Sequence, residues 1–347
     1  MRAVRLHKYH ERPSVDEVSE PKVTDPLDVL VRVGAAGLCR TDLHIFEGQW
    51  EHLTHPELPF VLGHENAGWV EEVGSAVSHV AVGDTVILHP HITCGLCHNC
   101  RAGDDMHCVN SKFPGVDGTD GGMADYLLTG ARSVVKLDPS LQPADVAALA
   151  DAGLTAYHAV KKAVPLLYPG TTALVIGAGG LGHIGVQTLK ALTPTTIIVL
   201  DRNQAALDLV SGYGADHTVL ANDSSAERVL ELTDGHGADV VFDFVAEQGA
   251  EALGWNLTRR AGSHYVIGYG GTVNVPAIDI ISSERNIVGN LVGSYNDLVE
   301  LMVLAADSRV EMLTQTYPLE AVNDAMDDLA AGRLRGRGIL APTGSDG

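Results

Sequence analysis

Residues 172–182, TALVIGAGGLG, carry the reading on which the fold turns. Five strand-forming residues run into Gly177, Gly179 and Gly182, spaced G-x-G-x-x-G, and a helical pattern follows to about Leu192. Strand, tight turn and helix start together are the context that a dinucleotide-binding turn requires. Glycines there let the backbone approach a pyrophosphate, whose charge is offset by the free N–H groups and dipole of the helix N-terminus. Gly180 and Leu181 complete the expected cofactor-binding turn.

The next strand signal, TIIVLD at 196–201, ends on Asp201, nineteen positions beyond Gly182. An acid at that point accepts hydrogen bonds from the adenosine ribose and repels a 2′-phosphate, which favours NAD over NADP. Arg202 beside it is a cation that would partly accommodate such a phosphate, so the preference is open to test. Downstream, HTVL from 217, ADVVFDFV from 238 and GSHYVIG from 262 alternate with helical stretches, and Gly268 closes the last of them as a further cofactor-binding position. Apolar, β-branched strands alternating with helices predict a doubly wound parallel sheet, an α/β domain of Rossmann type.

Upstream the pattern is different. From about Val4 to Lys136 the chain reads as short strands broken by Gly and Pro, such as VLVRVGAAG from Val29, AGWVEEVG from Ala67 and VGDTVILHP from Val82. Helical periodicity begins near Pro143 and restarts at Leu154, which places a boundary near residue 152. A length of 347 residues is itself long for one core, so a β-rich first domain and an α/β second domain are expected.

Hydrophobic content of 45% with 38 glycines fits a globular α/β enzyme. The formal net charge is −21, from 44 acidic and 23 basic residues, and such a surface repels phosphate backbones and anionic lipids. Nucleic-acid and membrane partners are therefore not expected. The acidic shell fits a salt-adapted protein and an ordinary acidic cytosolic enzyme equally well. The start, MRAVRLHKYHERP, lacks the apolar run of a secretory signal, and no apolar stretch is long enough to span a bilayer. A cytoplasmic setting is the expectation, and there clustered thiols are metal ligands rather than disulfides.

Four of the five cysteines lie in HITCGLCHNCRAGDDMHC, residues 91–108. The spacing of Cys94, Cys97, Cys100 and Cys108, C-x2-C-x2-C-x7-C, suits a closed tetrahedral zinc site with no position left for a substrate. An iron–sulfur cluster fits less well, because the bacterial run closes with C-x3-C-P whereas here the last gap is seven and Val109 follows. The fifth cysteine, Cys39, opens CRTDLH, and GHE at 63–65 supplies His64 and Glu65. A thiolate and an imidazole are two good zinc ligands, and a catalytic site needs three with the fourth position open.

The motifs CRTDLH, GHENAGWV, the four-cysteine stretch, DAGLTAYHA and VIGAGGLGHIG occur in one order along essentially the whole chain. In this the sequence resembles the zinc-dependent medium-chain dehydrogenases of alcohol dehydrogenase type, and its carboxylate at Asp151 is similar to that of some bacterial and archaeal members. The resemblance implies a GroES-like β-rich catalytic domain, residues 1–152 completed by 290–347, and a Rossmann NAD-binding domain, 153–289, with the active site in the cleft between them. It implies two zinc ions per chain, one held by Cys39, His64 and Asp151 with Glu65 as an occasional fourth ligand, and one structural. It implies that Thr41 takes the substrate proton and passes it through the cofactor ribose to His44, and that Arg40 and Arg337 bind the pyrophosphate. Asp42 is expected to orient His64 through its other ring nitrogen. Phe46, Trp50, Leu58, Leu291 and Tyr295 are expected to wall an apolar pocket for a neutral primary or secondary alcohol and its carbonyl partner. A homodimer or homotetramer is implied as well. Two rivals are a polyol, sugar or threonine dehydrogenase of the same superfamily, and a non-catalytic nucleotide-binding sensor or structural protein.

Overall fold

The stretch DVLVRVGAAGL forms the longest strand of the computed structural model, which describes residues 1–342. In the first of two units the chain forms β1 (Arg2–Leu6), β2 (Ser14–Glu17), β3 (Asp28–Leu38), β4 (Phe60–Val61), β5 (Glu65–Val73), β6 (Thr85–Leu88), β7 (Tyr126–Gly130) and β8 (Val134–Lys136). The second unit holds β9 (Thr172–Ile176), β10 (Thr196–Asp201), β11 (His217–Leu220), β12 (Ala238–Asp243), β13 (Thr258–Val266) and β14 (Asn286–Gly289). The chain then returns to the first unit with β15 (Thr314–Pro318) and β16 (Arg337–Ala341).

The first unit comprises Met1–Ala152, Ser294–Ser308 and the chain from Met312 onward. Its larger sheet has the order β15-β16-β3-β5-β6-β8, and β7 also pairs with β3. β3 is its axis. β5 runs antiparallel along one edge of β3, while β7 pairs with its first half and β16 with its last residues on the other. β3 has apolar residues at nearly every position because it packs on both faces, which explains why its sequence shows little alternation. Around it Val4, Leu6, Val31, Leu38, Phe60, Leu62 and Met123 form a core that β1 and β4, paired in a smaller sheet with β2, also supply.

The second unit, Gly153–Gly293 with Arg309–Glu311, is a sheet of order β11-β10-β9-β12-β13-β14 whose pairs are all parallel. Side chains alternate between two cores: Ala173, Val175, Val199 and Phe242 on one face, Leu174, Ile176, Ile198 and Val241 on the other. The strand order reverses between β9 and β12, the topological switch point outside which α/β sheets bind ligands, and Gly177 follows β9 there. β9, β10 and β11 occupy the stretches expected from sequence. The chain returns to the first unit at Ser294, and Arg309–Glu311 belongs to the second unit. Residues 343–347 of the expected C-terminal segment lie outside the described residues. Among the described residues no helix is long and apolar enough to cross a membrane.

Phe242 is fully buried in the centre of the parallel sheet, with Phe244 and Tyr265 rings 6.5 and 5.4 Å from its own. Phe242→Ala is expected to destabilise the second unit by about 3–5 kcal/mol, seen as an earlier midpoint in denaturant unfolding.

Candidate metal centre and nucleotide turn

Two strand ends and one helical turn deliver the donors. Cys39 follows β3 directly and precedes the helix Arg40–Phe46, and His64 and Glu65 stand at the start of β5, next to β3 in the sheet. Asp151 follows a 3-10 turn, Ala147–Ala150, and leads into the helix Ala152–Ala163. One ligand atom each from Cys39, His64, Glu65 and Asp151 falls within a sphere of mutual distances under 4.8 Å. His64 is 1% exposed, and neither ring nitrogen has a hydrogen-bond partner within the protein. Nδ1 faces Asp42 Oδ1 at 3.5 Å and Nε2 faces Asp151 Oδ2 at 3.5 Å, while Asp151 Oδ2 is 3.9 Å from Cys39 Sγ. Burial alone would lower the His64 pKa. The charge of Asp42 and contacts with Asp151, Asp42 and Cys39 reverse this and hold it well above its ordinary value. A buried imidazole and thiol and a half-buried carboxylate turned on one point are a donor set that fits zinc.

Asp42 lies in the first turn of its helix, where Oδ2 accepts the Cys39 N–H at 2.7 Å. It thus fixes the thiol's backbone with one oxygen and faces the imidazole with the other. Thr41 and His44 are each 9% exposed on the same helix, three residues apart on one face, and Thr41 Oγ1 is 3.6 Å from Cys39 Sγ. His44 is therefore a buried residue, not a solvated surface histidine. Arg40 is exposed at the helix start.

Glu65 is fully buried. Its Oε1 accepts the Ala152 N–H at 3.1 Å, and both carboxylate oxygens accept from Arg337, Nε at 3.1 Å and Nη2 closer still. Burial raises the Glu65 pKa against the pull of Arg337, while the Arg337 pKa stays well above its usual value because Cys39 and Glu65 outweigh its own burial. The two strands that carry this pair, β5 and β16, lie on opposite sides of β3. The pair crosses β3 at Gly37, whose added Cβ would stand 2.1 Å from Glu65 Oε2. Arg337 is thereby engaged by Glu65 through Nε and Nη2. The role of Gly37 was not foreseen from sequence, since it depends on the register that sets Glu65 opposite it.

The four remaining cysteines form a separate cluster, with sulfur atoms within 4.8 Å of one another. The N–H groups of Leu96 and Cys97 point at Cys94 Sγ, 3.5 and 3.4 Å away, and lower its pKa to about 6. Burial and the neighbouring thiols push Cys100 up to about 12. Backbone N–H groups aimed at closely packed sulfurs are the environment of metal-bound thiolates, and a divalent cation is the counter-charge such a set takes.

In the second unit Gly182 starts the helix Gly182–Leu192, and its added Cβ would meet the Gly177 carbonyl oxygen at 1.7 Å. Only glycine permits that closeness. The preceding Leu181 makes no side-chain cap, and Gly179 has nothing within 4 Å of the direction a Cβ would take, so the turn through Gly180 presents open backbone to a ligand. Asp201 accepts the Ala178 N–H at 2.6 Å and the Asn203 N–H at 2.7 Å, one per oxygen, which leaves lone pairs for ribose hydroxyls. Arg202 donates to Gln248 at 2.9 Å, and Gly268 packs against the Val245 carbonyl. The turn fits a dinucleotide.

The expected pocket wall is less unified. Phe46, Trp50 and Leu58 pack against the core of the first unit. Tyr295 lies beside the four-cysteine lobe: its hydroxyl donates to the Val134 carbonyl, and it lines a cavity with Cys100, Gly103 and Asp105. Leu291 is exposed in the second unit.

Gly37→Ala is expected to displace the Glu65 carboxylate and leave a buried charge unpaired, at about 3–5 kcal/mol, with loss of metal from the Cys39 cluster on dialysis. Cys100→Ser should remove metal from the other cluster and lower the melting temperature, while the specific rate of the remaining folded protein changes little; calorimetry with metal analysis checks it.

The family model described as alcohol dehydrogenase GroES-like domain matches residues 25–139, and that described as zinc-binding dehydrogenase matches 180–307. An NAD-dependent alcohol dehydrogenase of Sulfolobus acidocaldarius is 35% identical over 99% of this chain and 100% of its own length. A D-arabinose 1-dehydrogenase (NADP(+)) of Saccharolobus solfataricus is 34% identical over 98% of this chain and 97% of its own. Among solved structures, the alcohol dehydrogenase of the archaeon Aeropyrum pernix superposes with a TM-score of 0.95 at 44% identity, covering 99% of this chain and 100% of that one. By its motifs, its two folds and these full-length relatives, the chain belongs to the zinc-dependent medium-chain dehydrogenase/reductase superfamily, in its alcohol dehydrogenase-like branch.

Proposed function

We propose that this protein is an NAD-linked zinc alcohol dehydrogenase that moves hydride reversibly between a primary or secondary alcohol and NAD. The observation that carries the reading is the donor set of buried Cys39 and His64 with half-buried Asp151, backed by Glu65, in one chain with an open glycine turn. Those three residues would hold a catalytic zinc, and Cys94, Cys97, Cys100 and Cys108 a structural one. Zinc, when bound, supplies Lewis acidity, the property that brings the pKa of water from about 15.7 to about 7 and eases loss of an alcohol proton in the same way.

The chain's own groups do the rest. The Thr41 hydroxyl, beside Cys39, accepts the proton that the alcohol gives up, and His44, one turn on and on the same face, carries it away. Asp42 holds the His64 ring with Nε2 turned toward the other donors. The N–H groups between Gly177 and Gly182 receive the pyrophosphate, with Arg40 adding positive charge in a chain short of it, and Asp201 takes the ribose hydroxyls. The negative Asp201 next to the ribose favours NAD, and Gln248 occupies the Arg202 side chain that would otherwise serve a 2′-phosphate. The free edge of β14, with Ile287 40% exposed, suits pairing with a second copy in a homodimer or homotetramer.

Metal analysis coupled to an alcohol panel tests the reading. The wild type should hold two zinc ions per chain, one for each cluster, and oxidise simple alcohols with a kcat/KM for NAD at least about tenfold above that for NADP. Cys39→Ser should keep the structural ion and lose the activity. Full activity in Cys39→Ser, or equal use of the two cofactors, would refute the corresponding half of the proposal.

A further inference from the structure

The segment between β6 and the four-cysteine lobe holds two buried polar side chains that the chemistry above does not use. His91 is 6% exposed and Thr93 8%, and neither His91 Nε2 nor Thr93 Oγ1 has a hydrogen-bond partner within the protein. Between them Ile92 exchanges both backbone hydrogen bonds with Lys112, at 2.9 and 3.0 Å. The backbone is extended here, so His91 and Thr93 project to one face and Ile92 to the other, where its Cγ2 packs toward Gly130.

The His91 end of that face lies toward the metal donors. The His91 ring packs on Phe113 with centroids 4.4 Å apart, and Phe113 in turn meets His64 edge-on at 5.7 Å. The charges of Asp151 and His64 both act on His91. Its Nδ1 is held by Ser111 Oγ at 3.0 Å, which leaves Nε2 on the opposite edge of the ring. Burial, helped by His89, lowers its pKa to about 3, so the ring is neutral.

Buried polar atoms without partners are costly, and native proteins keep them where a ligand or an ordered water completes the bond. A neutral imidazole nitrogen and a hydroxyl have no charge to offer, and both pair well with a hydroxyl or carbonyl oxygen. A plain alkyl chain entering this space would leave both atoms unsatisfied. A substrate with a second oxygen next to its reacting carbon would satisfy them.

We propose that His91 and Thr93 form a polar subsite beside the metal donors that binds a second oxygen of the substrate, making vicinally oxygenated alcohols, such as 1,2- and 2,3-diols, the preferred class over simple alkanols. The proposal rests on the alcohol dehydrogenase reading and narrows its substrate. The cost of failing to fill such a site is what lets an enzyme reject the analogue lacking the group.

The test compares kcat/KM of the zinc-loaded protein for butan-2-ol and butane-2,3-diol in the wild type, His91→Leu and Thr93→Val. The wild type should prefer the diol by about tenfold or more; each substitution should lower the diol value by about tenfold and leave butan-2-ol within about twofold. Thr93→Val is nearly isosteric and keeps the test sound should His91→Leu misfold, as zinc content and melting temperature will show. The diol should also raise the wild-type melting temperature more than butan-2-ol does, a difference that Thr93→Val removes. A wild-type preference for butan-2-ol, or a diol-to-alkanol ratio unchanged in Thr93→Val, would overturn the subsite while leaving the alcohol dehydrogenase reading intact; such a result assigns the two atoms to a bound water. Failure to oxidise either alcohol would overturn the broader reading and the subsite with it.

Discussion

The metal centre depends on one buried ion pair laid across a strand. Glu65 and Arg337, on strands either side of β3, reach each other only because Gly37 has no side chain between them. The same carboxylate takes the Ala152 N–H and so ties down the turn that presents Asp151. Cys39 continues from β3, His64 leads into β5 and Asp151 precedes Ala152, so each donor is next in the chain to a segment that the Glu65 carboxylate touches or crosses. A buried ion pair is a poor source of net stability, since desolvation offsets most of its attraction. Its value here is geometric: it fixes three strands and a turn at one point, while leaving Glu65 close enough to count among the donors.

The metal donors and the nucleotide turn were legible to different degrees, for a physical reason. The nucleotide turn is local. Strand, glycines and helix start follow one another within a dozen residues, and an acid ends the next strand, so the sequence alone exposes β9, β10 and the position of Asp201. The four-cysteine lobe is also local, with its ligands spaced along residues 94–108. The Cys39 cluster is scattered over more than a hundred positions and became readable only through the order of motifs along the whole chain. Glu65 was expected near the metal, but its partnership with Arg337 depends on the register of β16 against β3, which no local pattern encodes. Gly37 sits in VLVRVGAAG, where a glycine looks like an ordinary strand interruption. His91 and Thr93 were hidden by the cysteines beside them, and what marks them, burial without a partner, is not a property of sequence.

The short strands β1, β2, β4 and β7 escaped the sequence reading for another reason. They have two to five residues each and draw their stability from pairing with distant segments, as β7 does with β3 and β4 with β1. Intrinsic propensity in so few residues is too weak to announce a strand; the tertiary context makes it one.

β16 has a bearing on how the protein is made. It is a strand interior to the larger sheet, between β15 and β3, yet residues 337–341 come after the whole of the second unit in the chain. Domains emerge and fold largely from the N-terminus onward. The second unit is translated almost whole before β16 appears, and the cysteine lobe, with its ligands close in sequence, can take up its ion early. The Cys39 cluster is still without the arginine that pairs with Glu65 in the folded chain. Until then the last residues of β3 have a bare edge and Glu65 lacks its counter-charge, so the frame around the Cys39 cluster closes only when the last strand of the sheet is added.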